Sequence, residues 1–189
     1  MLLLFLVACG GTATPTTSTT TRPVTTTTAT GAGGSTTTTT RPAEQTSTTF
    51  GGGTTPSSTP PSSNPPANLV AVRVAGQEGF DRVVFEFDST VPAYRILYNE
   101  GPFTGTAGLP VPVEGAAVLR VSLAPARAAD SYKGPKTVKG GTSNVTEALM
   151  VEDFEAVVLW GVGVRRMTAF RVDTLTSPPR IVLDVLTEG

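Results

Sequence analysis

Pro178-Pro179-Arg180-Ile181-Val182-Leu183-Asp184-Val185-Leu186 is the stretch whose reading decides the fold. Two prolines cannot donate to a hydrogen-bond ladder, and they deliver the chain in an extended conformation to Arg180 and beyond. The next seven residues are aliphatic apart from one Arg and one Asp. Side chains alternate faces along a strand, so Ile181, Leu183 and Val185 point one way. Arg180, Val182 and Asp184 point the other. An earlier stretch, Asp81-Arg82-Val83-Val84-Phe85-Glu86-Phe87-Asp88, repeats the pattern Arg, apolar, Val, apolar, acid, apolar. There Val83, Phe85 and Phe87 share one face, while Arg82, Val84 and Glu86 share the opposite one.

Working outward, further alternating segments occupy 69–74, 93–98, 117–123, 145–152, 156–162 and 168–174, with Gly and Pro punctuation between them. No helical periodicity extends beyond a turn or two. Eight or nine short strands so spaced predict an all-β fold, an antiparallel β-sandwich or open barrel. One phase of each strand supplies the expected core: Val83, Phe85, Phe87, Ile96, Leu119, Val121 and Leu123. Later strands add Leu149, Val151, Val158, Trp160, Phe170, Val172, Ile181, Leu183 and Val185. Trp160 lies in the most apolar run, which reads as a buried central strand rather than a ligand-stacking platform. The phase of that strand stays open, because both of its faces are apolar.

The chain has 189 residues, a formal net charge of −1, no His and one Cys. That balance lacks the basic stripe of a nucleic-acid binder, so no nucleic-acid partner is expected. Without His there is no Ser-His-Asp triad, Cys-His pair or His-ligated zinc. Catalysis by carboxylates alone would fall to groups such as Glu152, Asp153 and Glu155, and the expectation is that the protein is not an enzyme. The 152–155 acidic stretch lacks the interleaved spacing and Gly of a calcium loop. No metal or cofactor is expected.

The apolar run Met1–Ala8 followed by Cys9 resembles the end of a bacterial lipoprotein signal peptide, with Leu6-Val7-Ala8-Cys9 similar to a lipobox. It is shorter than the roughly 20 apolar residues a bilayer span needs, and it lacks a basic n-region, as though truncated. The expectation is cleavage before Cys9, lipid attachment there, and anchoring on the extracytoplasmic face of the cell membrane. Residues 9–67 then form a Thr/Ser/Pro/Gly-rich stalk, too poor in apolar residues to fold and expected to be disordered. A flexible coil of that length has an end-to-end distance of about 45 Å, and Pro-rich extension lengthens it. Such segments also resemble glycosylated stalks. Asn144-Val145-Thr146 matches a glycosylation sequon and is read as chance.

Residues 68–189 form the expected folded domain, large enough for one core. Two of its loops are long. Residues 100–113 read as irregular. Residues 124–143 carry Tyr132, Lys133, Lys136 and Lys139, which make a secondary candidate site beside the bland reading of a solvated basic loop.

Phe80 to Phe87, Pro92-Ala93-Tyr94-Arg95, Tyr132-Lys133-Gly134-Pro135 and Ser177 to Val185 together resemble the AMIN-like domain of actinobacterial lipoproteins. That family is similar to the AMIN domain found beside cell-wall amidases and in secretins. The resemblance implies a sandwich of two related sheets that recognises peptidoglycan, here a binding module without its enzyme.

Arg82 and Glu86 lie about 13 Å apart along their strand, too far to pair with each other. Each needs a cross-strand partner, water or a ligand, and so do Arg180 and Asp184. If the core faces are right, Arg82, Val84 and Glu86 look outward from one sheet, and Arg180, Val182 and Asp184 from the other. Such rows can bind sugar hydroxyls and peptide carboxylates, or they can simply be solvated with weak ion pairs. The expected function is a lipid-anchored envelope binding module recognising peptidoglycan or a wall-associated protein. The alternative is a protein-interaction module that assembles an envelope complex.

Overall fold

The alternating apolar residues become two sheets packed face to face in the computed structural model, which describes residues 50–188. The strands are β1 (Ser57–Ser58), β2 (Ala67–Gly76), β3 (Phe80–Phe87), β4 (Ala93–Tyr98), β5 (Ala117–Ala124) and β6 (Ala126–Arg127), then β7 (Thr137–Lys139), β8 (Val145–Phe154), β9 (Val157–Val164), β10 (Phe170–Thr176) and β11 (Pro179–Leu186). One sheet runs β1-β4-β5-β9-β8-β7, and the other β10-β11-β3-β2-β6. All pairings are antiparallel except the two-residue contact of β2 with β6. The fold is an all-β sandwich.

The core takes the expected phase of most strands. Val83, Phe85, Ile96, Leu119, Val121, Leu123, Ile181, Leu183 and Val185 are fully buried. Trp160 fills the centre, edge-on to Phe85 from the facing sheet and to Tyr132, each ring centre 5.7 Å away. Edge-on contacts of this kind add stability beyond area burial.

Strand β8 departs from the expectation. Its ladder slips at bulges between Val145 and Glu147 and between Met150 and Glu152, and each extra residue reverses the alternation. Val145, Ala148 and Met150 therefore face the core, while Leu149 stands beside Gly161 on the outward row. Leu149 and Val151 are only half-buried.

The open phase of β9 has a physical answer. The 100–113 loop crosses the outer face of the six-stranded sheet, so both faces of β9 are covered. Phe103 is buried above Gly161, where a Cβ would strike Val113. Arg120 stacks on the Phe103 ring at 4.6 Å and donates to the Thr104 carbonyl at 2.6 Å. Glu152 accepts from the Thr106 backbone N–H and hydroxyl, which pulls its carboxyl below the usual range.

The folded body begins before residue 68. Gly53 exchanges both backbone hydrogen bonds with Phe170, at 3.1 and 2.8 Å, and β1 adds to the edge of β4. The last part of the Thr/Ser/Pro-rich stretch is thus a strap that ties an edge of one sheet to an edge of the other. Composition alone could not show this, because the Ser/Thr/Pro part of the strap is held by backbone hydrogen bonds. Cys9, the signal-peptide residues and the stalk up to residue 49 lie outside the described residues.

Candidate functional site

The two motif copies are neighbours. Strands β3 and β11 pair antiparallel in one sheet, with Arg82 opposite Asp184, Val84 opposite Val182, and Glu86 opposite Arg180. This corrects the expectation that each sheet would present one row. The chain folds back so that the repeated sequence meets itself in reverse, and the Arg of one copy faces the acid of the other.

The outward faces of β10, β11, β3 and β2 then form cross-strand rows. The first is Arg171–Asp184–Arg82–Ala75, the second Asp173–Val182–Val84–Arg73, and the third Leu175–Arg180–Glu86–Ala71. In the first row, Arg82 donates from Nε to Oδ1 of Asp184 at 2.7 Å and from Nη2 to Oδ2 at 2.9 Å. Arg171 donates from Nε and Nη2 to Oδ2 of the same carboxylate, at 3.0 and 2.9 Å. Two forks hold one acid.

Asp184 is completely buried, so it is not an outward ligand contact. The reason is electrostatic: two guanidiniums close over a carboxylate and replace its water with charge-assisted hydrogen bonds. The hydrogen bonds that Arg82 donates to Asp184 raise its guanidinium above the ordinary value, with burial opposing. Val182, between Val84 and Asp173, is 5 % exposed and is likewise no open contact.

Two aromatic rings flank this row. The Arg82 guanidinium lies 5.2 Å from the Phe80 ring, and that of Arg171 lies 4.9 Å from Phe50 and 5.3 Å from Phe80. Phe50 comes from the strap, whose docking therefore completes the stack.

Accessible on this face are Arg82, Val84, Glu86 and Arg180 from the expected set, with Arg73, Asp173 and Leu175 added. Glu86 pairs with Arg73 across the strands. Arg180 donates to the Pro178 carbonyl at 3.3 Å and, among the described residues, has no carboxylate partner. Two of the added residues carry a legible signal: Asp173 and Leu175 share one face of an alternating segment with Arg171, although in a different order from the quoted copies.

The secondary loop divides. Tyr132 is buried, donates to the Pro135 carbonyl at 2.9 Å and packs on Trp160, so it is a core residue. Burial pushes its hydroxyl up. Lys133 and Lys136 are exposed. Lys139 is held between Glu147 and Glu114 at 2.7 and 2.9 Å, which raises its ammonium and lowers the Glu114 carboxyl. The three lysines do not converge on one open site. Asn144 is fully buried, and its amide donates to Arg166, Thr168 and Leu186. Its sequon therefore lies inside the fold.

Among the described residues, no cluster of His, Cys, Asp and Glu could hold a metal ion, and no helix is long and apolar enough to cross a membrane.

The domain is thus a two-sheet sandwich with one outward face of Arg, Val and carboxylate. The AMIN-like domain family matches residues 67–187, and the chain belongs to that family. Neither a curated protein nor a solved structure matches it. Family membership implies an envelope-associated protein working outside the cytoplasm.

Proposed function

We propose that this protein is a lipid-anchored binding module that recognises peptidoglycan or another wall component without catalysis. Its anchor is Cys9, its stalk gives reach, and its contact surface is the outward face of β11, β3 and β2. The observation that carries this reading is the uneven pairing of that face. Asp184 and Glu86 are consumed by Arg82, Arg171 and Arg73, whereas Arg180, opposite Leu175, donates only from Nε to the Pro178 carbonyl and has no carboxylate partner among the described residues. A free guanidinium next to apolar surface suits a carboxylate-bearing, partly apolar ligand.

Co-sedimentation of the full chain with purified peptidoglycan tests the face. Arg180→Ala should release the protein from the pellet. Lipid labelling tests the anchor: Cys9→Ala should abolish both label and membrane retention, and equal retention would rule the anchor out. If the protein ignores peptidoglycan yet captures a defined wall-associated protein through Arg180, the protein-interaction reading replaces the first.

A further inference from the structure

A groove of about 690 Å³ opens against the other sheet. Its floor is the outward row Ser58–Arg95–Ser122 across β1, β4 and β5. One wall is the strap between Pro56 and Ser62, and the other is the Glu155-Ala156 tip of the β8–β9 hairpin.

Both walls are fixed in advance. Thr59 donates its N–H to the Tyr94 carbonyl at 3.0 Å, and the Tyr94 N–H donates to the Thr59 hydroxyl at 2.9 Å. Prolines lock φ on that wall. On the other wall, Glu155 and Ala156 have φ of 49° and 60°. A two-residue turn of that hand ordinarily takes Asn-Gly. Non-glycine residues persist there only when their surroundings hold them; the Ala126 N–H does so by donating to the Ala156 carbonyl at 2.8 Å. The tip thus holds Glu155, an exposed residue, at the edge of the groove.

Among the described residues, neither Arg95 nor Glu155 has an ion-pair partner. Both are exposed. The groove therefore offers one free cation on its floor and one free anion at its rim, with the hydroxyls of Ser58 and Ser122 on the floor. A neutral sugar would leave both charges unanswered. A polyanion would meet Glu155, and a polycation would meet Arg95.

We propose that this groove binds a short ampholytic peptide. The peptide carboxylate takes the Arg95 fork, its ammonium group takes Glu155, and its amides reach the serine hydroxyls. The volume lies within the roughly 300–1,000 Å³ of small-ligand sites, and four extended residues span at most about 14 Å. The inference goes beyond the wall-binding reading and does not rest on it, because it uses the opposite sheet.

The test is an amide-resolved NMR titration of the full chain with unblocked tetra-alanine. Its controls are acetylated, amidated tetra-alanine and a neutral N-acetylglucosamine tetramer. The unblocked peptide should shift the amides of Arg95, Ser122 and Glu155. Blocking both ends, Arg95→Ala or Glu155→Gln should each weaken binding about tenfold or more, the scale of a charge-assisted contact. Both substitutions are at exposed positions, so the remaining spectrum should not change. Equal binding of the blocked peptide, preferential binding of the sugar at these residues, or no shift up to about 10 mM peptide would each overturn the proposal.

Discussion

Arg82 and Asp184 face each other on adjacent antiparallel strands, and the guanidinium forks both oxygens of a carboxylate with no exposed surface. The residues are 102 positions apart in the chain, so this pair fastens the last strand to the third. Removing Arg82 leaves Asp184 buried with Arg171 alone. Arg82→Ala should therefore cost about 1.5–3 kcal/mol, the range for hydrogen bonds to charged groups. Arg82→Lys should recover little, since an ammonium cannot fork two oxygens. Arg180→Ala, with no carboxylate partner, should stay within about 0.5 kcal/mol. Urea unfolding of the three variants checks the order, and equal stability of Arg82→Ala and Arg180→Ala would refute it.

The sandwich core gives a second test. Leu183 is fully buried, so Leu183→Ala should cost about 2–5 kcal/mol. Gly163 admits no Cβ, because the Glu114 carbonyl occupies that space. Gly163→Ala should therefore cost about 1–3 kcal/mol through overpacking, although it adds only a methyl group. A shift in urea midpoint for Leu183→Ala alone would mean that the segment around Glu114 does not sit tightly over β9.

The strap supplies a third. A chain beginning at residue 68 lacks the Gly53–Phe170 hydrogen bonds, β1 and the Phe50 ring. Its thermal midpoint should fall below that of the full chain. Phe50→Ala should lower it by less, at about 0.5–1 kcal/mol for a lost cation–π contact. Identical midpoints for all three would show that the strap does not stabilise the sandwich.

Stability should be flat across neutral pH and fall at both ends. Hydrogen bonds hold Asp88 and Glu114 below their ordinary values of 3.8 and 4.5. Their contribution is present above those values and is lost as pH falls through the lowered folded ones. Burial raises Tyr98 and Tyr132 above 10.0, and carboxylate hydrogen bonds raise Lys139 above 10.5. These contributions are complete below the ordinary values and are lost as pH climbs through the raised ones. The chain has no His, so no such side chain titrates between. Unfolding midpoints measured from pH 3 to 11 should trace a plateau from roughly 5 to 9; a step near 6 or 7 would contradict this.

Most of the fold was legible because alternation is local. Val83, Phe85 and Phe87 announce a buried face, and all three are buried. The bulges in β8 are not legible, because nothing in its composition marks where a ladder slips, and they put Leu149 on the face opposite to the one simple alternation predicts. The outer face was half legible. Spacing showed that Arg82 and Glu86 could not pair with each other. It could not show that the two copies would pair with one another, because strand order depends on contacts between distant segments. Burial of Asp184 follows from that pairing and from Arg171 on a third strand. The strap was invisible for a different reason: Ser, Thr and Pro carry no apolar signal, yet a backbone can still add to an edge.

The most direct measurement of the central claim is the affinity of the full chain for purified peptidoglycan, with and without Arg180→Ala. Loss of a charge-assisted contact of about 1.5–3 kcal/mol should weaken binding roughly tenfold or more while stability holds. Parent-like binding by Arg180→Ala, or none by the parent itself, would contradict the assignment of the outer sheet face as the wall-binding surface.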